Sequence, residues 1–514
     1  MVSFILRRIV VSILILIAAS FIMYVLAANS GDPLRDLEGS NSPNKDQLIA
    51  ARVQALDLDV PPPLRWFLWL GGAAKCLIPF ANACDLGLTI QNAEVTTILP
   101  TAMLATVQLV TLAFVLALVL GIVVGIATAL RQYSGFDLSV TFVSFFLFSL
   151  PSFLVAVLLK EFIAIGFNNF LQRDPTIAPV AIVLIAVVAG LVWQVLIGGA
   201  FKRRAVVFGV SALATGLVLA YMSLSDWFLH PGLGPVGLLV LIAGTVVATT
   251  ALVAGLSNRR VLLISGINGA IAYACYFALQ GLFDVSTIGT LLILALVAII
   301  VGIAIGFALG AHDKGQGMRA GAITALVTSG LVVLDRFMQS WPAYVDSPRI
   351  NGRPIATVGA GTPGFGGDVW LSGIDTFTHL LLPTIALLLI SFASYTRYSR
   401  SGLLEVLNQD YIRTARAKGL PERTVIVRHA FRNMLIPIAT LVATDVGALL
   451  GGAVITERVF AISGMGALFA SSLDRVDLNP IMGYFVVIAI MAILFNFLAD
   501  LAYAVLDPRV RVRT

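Results

Sequence analysis

The sequence predicts an all-α polytopic membrane protein, and three observations predict it. Mean hydropathy is +0.97, and only 12% of the 514 residues are charged, too few to cover a water-soluble surface at this length. Apolar runs of about 18 residues or more recur along the chain, each long enough to cross a ~30 Å hydrocarbon core as a helix. Lys and Arg gather in short loops between those runs, which is the positive-inside pattern. Backbone groups in lipid must find partners inside their own segment, so the runs are read as helices. The formal charge of +6 would point to nucleic acid only if that distribution were ignored, and no nucleic-acid partner is expected.

The first run, about 9–28, follows Arg7 and Arg8. It is longer than a signal-peptide core and its "AAN" is a weak cleavage site, so a retained first span is expected with the arginines inside. The external loop 29–101 is too polar for lipid. A polar helical segment there gives way to a Pro triplet in "LDVPPPLRWFLWL". Cys76 and Cys84 lie in this loop, eight positions apart, with Pro and Asn between them to turn the chain. On an oxidising face they can form a disulfide, and two free, partly buried thiols are the alternative. Cys275 falls in an apolar span.

Eleven further spans are expected near 102–130, 138–165, 178–199, 204–224, 236–256, 261–281, 287–310, 320–338, 378–396, 434–456 and 482–505. The connections "RQYSG", "FKRR", "SNRR" and "HDKGQGMR" and the tail "DPRVRVRT" all carry Lys or Arg. The opposite connections are less basic for their length, so both termini are expected in the cytoplasm of a prokaryotic cell, with the chain in its plasma membrane. Residues 341–376, containing "GAGTPGFGGD", read as irregular, turn-rich chain outside the membrane.

One segment does not fit a purely apolar scheme. "DYIRTARAKGLPERTVIVRHAFRN", residues 410–433, is basic and helix-prone. Asp410 to Lys418 has no breaker and puts Ile412, Ala415 and Arg416 near one face. Gly419 suits the position just past a helix, and Pro421 with Glu422 suits the first turn of the next. A second short helix is expected from Pro421 to about Asn433. The pair would make a helix–turn–helix outside the membrane. Two readings stay open on these grounds: an element that docks into a groove on another protein, or an amphipathic element whose arginines meet anionic headgroups.

"DYIRTARAKGL" followed by "VRHAFRNMLIP" resembles the cytoplasmic EAA loop of binding-protein-dependent ABC importer permeases, and more narrowly the B-type permease of dipeptide and oligopeptide importers. In the general pattern Glu-Ala-Ala is followed, after three residues, by Gly. Here Arg413 stands at the Glu position, then Thr414 and Ala415, and Gly419 matches. His429 and Arg432 stand where the general pattern has Ile-x-Leu-Pro, and with Pro437 that departure is how the peptide branch looks. Other stretches carry the likeness further. They are Gly31-Asp32-Pro33, "SLPSFLVAVLL", "THLLLPTIALLLISFASYTRYSRSGLLEVL" and "AVITERVFAISGMGALF".

The resemblance implies a six-helix type I importer permease core, here residues 1–165 and 346–514, with the EAA loop at 405–437. It implies that Asp410, Arg413, Thr414, Ala415, Arg416, Ala417, Lys418, Gly419, Leu420, Arg428, His429, Asn433 and Pro437 couple the pore to an ATPase. The implied partners are a second permease subunit, two ATP-binding cassette subunits, an external substrate-binding protein and membrane lipid. ATP and Mg would be bound by the cassette subunits. This chain carries neither a GxxxxGK[ST] loop nor a His/Cys metal cluster, so a non-catalytic pore subunit without a cofactor is expected. Di- or oligopeptides are the implied cargo, with nickel, glutathione and oligosaccharide as alternatives.

Residues 166–345 have no counterpart in an ordinary member of such a family. Six spans are expected there, and an even number keeps the EAA loop cytoplasmic. Asn268 is the most polar residue well inside one of them, with Asp335 and Arg336 at an end. Ionisable groups at midplane would mark a substrate path. Their absence suggests a module that faces lipid, packs or recruits a partner. A secondary transporter is the main rival, but it should show repeats and broken, charged helices, which are not visible. A scaffold that only recruits an ATPase is the other.

Overall fold

Hydrophobic length decides the architecture. In a computed structural model of the chain, which describes residues 2–39, 41, 43–76, 84–311 and 313–506, twelve helices are long and apolar enough to cross a membrane. No strand occurs among the described residues, only one isolated bridge between Leu88 and Glu94. The protein is a multi-pass membrane protein.

The first helix is α1 (Val2–Ala28), followed by the short α2 (Arg35–Glu38), α3 (Lys45–Ala55) and α4 (Pro62–Lys75) of the polar loop. Trp66 and Trp69 of α4 bury against Tyr24 and Ala27 of α1. A disulfide joins Cys76 to Cys84, with Cα atoms 4.1 Å apart. The long α5 (Val95–Leu130) holds Pro100 inside its first turns. At 1.5 Å per residue its 36 residues reach ~54 Å, so it projects beyond the bilayer. The expected start at 102 was too late because those first turns are too polar to register as lipid-facing. Next come α6 (Gly135–Ser149), α7 (Ser152–Leu158), a π-helical stretch at Leu159–Ile165 and α8 (Gly166–Arg173). Pro151 breaks what was expected as one span, because its ring cannot continue the α6 hydrogen-bond ladder.

The middle of the chain contains α9 (Pro179–Ile197), α10 (Phe201–Leu224), α11 (Gly234–Val253), α12 (Arg259–Ala278), α13 (Gln280–Asp284), α14 (Ile288–Leu309) and α15 (Lys314–Val345). Here α9 packs on α10, and α11, α12 and α14 pack around α15. Close approach of α14 and α15 depends on Gly302, Gly306, Gly317 and Gly321. A Cβ added at Gly321 would lie 2.0 Å from the Gly302 carbonyl oxygen, and small residues let helices in lipid touch this closely. A polar seam runs through the group: Thr249 and Thr324 hydroxyls are 2.9 Å apart. Asp335 was expected at a span end. It lies inside α15 instead, fully buried, accepting the Leu233 N–H at 2.6 Å and the Gly234 N–H at 3.2 Å.

The last third contains α16 (Val369–Leu407), α17 (Asp410–Ala417), α18 (Glu422–Thr424), a π-helical stretch at Val425–Ala430, α19 (Phe431–Gly452), α20 (Val454–Val459), α21 (Met465–Asp474) and α22 (Leu478–Leu506). Only residues 346–368 are irregular between α15 and α16, fewer than the 341–376 expected, because α15 continues through Pro342 and α16 already begins at Val369, where the Asp368 side chain caps it. The α5–α16 pair is the spine. Gly121 and Gly125 of α5 lie on the α16 backbone at Tyr395, Thr396 and Ser399, where an added Cβ would come within 2.7 Å.

The chain leaves α8 and returns before α16 at one place. Asn168 donates to the Ile355 carbonyl at 2.8 Å, and its own oxygen accepts the Ile355 N–H at 3.0 Å. Gln172 donates to the Asn351 carbonyl at 3.2 Å.

Candidate functional site

The basic segment singled out in the sequence forms a bracket at the end of the α5–α16 spine. Its position is set by α16, which continues as helix past Arg400. Arg400 donates from Nε and Nη2 to the two carboxylate oxygens of Asp137 at 2.7 and 2.9 Å. That fork fixes the end of α16 against the start of α6. Two residues beyond Leu407 the chain turns and α17 begins at Asp410.

Spacing of the apolar residues explains why α17 folds back rather than leaving the bundle. Ile412 and Ala415, three apart, are on one face and buried against Leu403 of α16, Ala129 of α5, and Val425, Ala430 and Met434. Ile412, Leu403, Val425 and Ala430 are fully buried. Arg416 was expected on that face, but it points outward and bridges the turn. Its guanidinium donates to both oxygens of Glu422, at 2.6 and 3.2 Å. The Glu422 carboxylate pushes the already high Arg416 proton affinity higher still. An exposed pair of this kind contributes little energy, but it sets the angle of the turn.

The turn itself is glycine-dependent. Gly419 has φ +75°, a conformation that residues with a Cβ adopt at a cost, and its N–H bonds the Arg416 carbonyl at 2.9 Å. Pro421 caps the following helix, one position before the first turn where it was expected. The expected separate second helix, 421–433, is not separate. Through the π-helical stretch it runs unbroken into α19, so the segment after the turn is the root of a membrane span. Its charges made it look like a break, but they sit on the outer side. Asn433 donates to the Tyr411 hydroxyl at 2.7 Å and closes the bracket.

What remains outside is a mixed surface. Asp410, Arg413, Thr414, Arg416, Ala417, Lys418, Gly419, Leu420 and Arg428 are exposed, as are Tyr411 and Val427. His429 is half-buried, and Pro437 lies within α19, away from the turn. Ala415 is an anchor on the buried side. Basic side chains around a few exposed apolar ones, held on a rigid two-helix bracket, make a contact surface rather than a reaction centre. Among the described residues no group of three or more His, Cys, Asp or Glu is placed to hold a metal ion.

One functional-looking cluster falls in the stretch "AVITERVFAISGMGALF", in which the sequence marked no individual residue. Glu457 of α20 is fully buried. Its Oε1 accepts the Thr106 hydroxyl of α5 at 2.6 Å and its Oε2 accepts the Ala467 N–H at 2.9 Å, while the Met465 N–H donates to Thr106 Oγ1 at 2.7 Å. The carboxylate thereby seats the N-terminus of α21, where the helix dipole favours it. Burial pushes the carboxyl above its ordinary range in spite of those donors. Lys160 of the first π-helical stretch adds a bond to the Val459 carbonyl at 3.0 Å.

The bracket and the seated α21 thus stand at opposite ends of one helical membrane spine. The chain belongs to the family of binding-protein-dependent transport system inner membrane components, whose pattern matches residues 121–512. It is similar to the dipeptide transport system permease protein DppB of Escherichia coli, at 46% identity over 138 residues, 27% of this chain and 41% of the relative. It is also similar to the oligopeptide transport system permease protein OppB of Mycobacterium tuberculosis, at 38% over 186 residues, 36% of this chain and 55% of the relative. The matched segments thus span about half the length of these relatives.

Proposed function

We propose that this chain is a pore-forming permease subunit of an ATP-driven importer for di- or oligopeptides. The observation that carries the reading is the bracket at 405–437. Its apolar side is rooted in α5, α16 and α19, so a force on its exposed side is transmitted directly to membrane-spanning helices. Two ATP-binding cassette subunits, holding ATP and Mg, would grip one bracket each on this chain and on a second permease. Hydrolysis belongs to those subunits, and this chain is non-catalytic. A binding protein on the far side would deliver cargo. Both termini lie in the cytoplasm on this reading, on the side of the bracket. The names of the relatives support peptide cargo.

Residues 1–165 and 346–514 form the transport core in this reading, and 166–345 an inserted six-span module beside it. The paired bonds of Asn168 with Ile355 support that division, since the chain departs and returns at adjacent points. The test is uptake of labelled di- and oligopeptides by a strain deleted for this gene, with the intact gene restored as control. Peptide uptake lost on deletion and regained on complementation supports the reading. Uptake unaffected by deletion, in a strain with no second peptide importer, contradicts it.

A further inference from the structure

A small cavity opens between α5, α6 and α16, beside the Asp137–Arg400 pair. Its volume is about 100 Å³, and Ser144, Phe145, Phe148, Thr396 and Arg397 are among its lining residues. Ser144 and Thr396 are 7% and 2% exposed, and both hydroxyls are buried without a hydrogen-bond partner. Helical Ser and Thr usually return their hydroxyl to a carbonyl one turn back, as Thr128 does to Gly125 and Ser401 to Arg397 here. Ser144 and Thr396 do not. Buried polar atoms are nearly always satisfied, so two unmet donors facing one cavity point to an occupant with acceptors.

Arg397 gives that occupant a charge. Its guanidinium lies over the Phe148 ring at 4.7 Å and the Tyr398 ring at 5.6 Å, and among the described residues it has no carboxylate partner. Asp137, which lies beside the cavity, is already held by Arg400 through two bonds. Arg397 also lies three residues, ~4.5 Å, further along the helix into the membrane than Arg400. That is the level where an arginine at a helix end reaches for a headgroup.

We propose that this cleft binds the phosphate of an anionic phospholipid from the leaflet on the Arg400 side. The Arg397 fork and the Ser144 and Thr396 hydroxyls donate to the phosphate oxygens, and one acyl chain runs along the exposed rings of Phe145 and Phe148. Guanidinium is suited to phosphate by geometry and weak hydration. Ordered water would satisfy the hydroxyls but leave the arginine charge uncompensated. Free inorganic phosphate offers the same oxygens without the chain.

The test is native mass spectrometry of the purified full-length protein titrated with phosphatidylglycerol, with diacylglycerol of the same chains, and with inorganic phosphate. Retention of phosphatidylglycerol over diacylglycerol is expected. Arg397→Gln should weaken it about tenfold, equivalent to about 1.4 kcal/mol. Arg319→Gln, on the exposed first turns of α15, should leave it unchanged. Should Arg397→Gln fail to insert, the double variant Ser144→Ala with Thr396→Val keeps the charge, and it should still weaken binding severalfold. Wild-type affinity in both variants overturns the proposal. Inorganic phosphate that binds as tightly as the lipid and displaces it would overturn the lipid as the source of the phosphate.

Discussion

Replacing Glu457 by alanine should release α21 from α5 while leaving the spine intact. The magnitude follows from the bonds lost. The substitution leaves the Thr106 hydroxyl and the Ala467 N–H without acceptors, each a buried group whose loss costs about 1–3 kcal/mol. Removing the carboxylate from the helix N-terminus adds a few tenths. Collapse offers little relief, because Gly464 lies directly on the carboxyl, 2.4 Å from where its Cβ would be. A local destabilisation of about 3 kcal/mol raises the opening population roughly 100-fold. Hydrogen exchange of the amides in Met465–Asp474 reads it directly, with residues 380–395 of α16 as an internal reference. Glu457→Gln, which keeps one acceptor and the shape, should fall between, near tenfold. Exchange in Met465–Asp474 within twofold or so of wild type, in a Glu457→Ala protein whose reference region is unchanged, would refute the clamp.

Other expectations concern the loop after α1 and the six spans proposed as a module. Burial pushes the Asp477 carboxyl up to about 6, against about 3.9 in an unfolded chain. The folded state therefore holds this proton more tightly, and the stability it contributes is complete below about pH 4 and lost as pH rises through about 6. Asp477 Oδ2 accepts the Ile90 N–H at 3.0 Å, so protection of that amide, corrected for intrinsic exchange, should fall between about pH 4 and about 6 and level off above. Asp477→Asn should flatten the profile, and an unchanged slope would contradict the assignment. Deleting 174–349 and joining the ends by a short Gly/Ser linker should preserve insertion and ATPase binding, because Gln172 and Asn351 are already in contact. It should also cost stability, since the Tyr344 hydroxyl bonds to Thr378 at 3.0 Å and Asp375 at 3.2 Å would go. Loss of ATPase binding by a deleted protein that still inserts would count against the division of the chain.

The number of membrane helices was legible because a run of apolar side chains long enough for lipid has few other uses. Their ends were not. Hydropathy registers only the lipid-facing length, whereas α5, α15 and α16 continue as helix beyond it, α5 and α15 through Pro100 and Pro342. The turn at Gly419 was readable, since a glycine before Leu-Pro after an amphipathic turn has a specific conformational use. The joining of 422–433 to α19 was not, because four basic residues in that stretch resemble a boundary. Asp335 and Glu457 show the deeper limit. Each is an acid in a helix, and what makes it a buried clamp is a partner far along the chain: Leu233 for one, Thr106 for the other.

The most direct measurement of the central claim uses the assembled importer in proteoliposomes, with peptide-stimulated ATP hydrolysis and uptake read together. Gly419→Pro forces φ to about −65° where the turn has +75° and removes the N–H that bonds Arg416. Arg416→Glu sets two carboxylates against each other across the same turn. Both variants should insert and assemble, yet lose peptide-stimulated hydrolysis and uptake by about tenfold or more, whereas Gly419→Ala, costing only about 1 kcal/mol of backbone strain, should lose far less. Wild-type stimulation and uptake in both Gly419→Pro and Arg416→Glu would contradict a coupling role for the bracket.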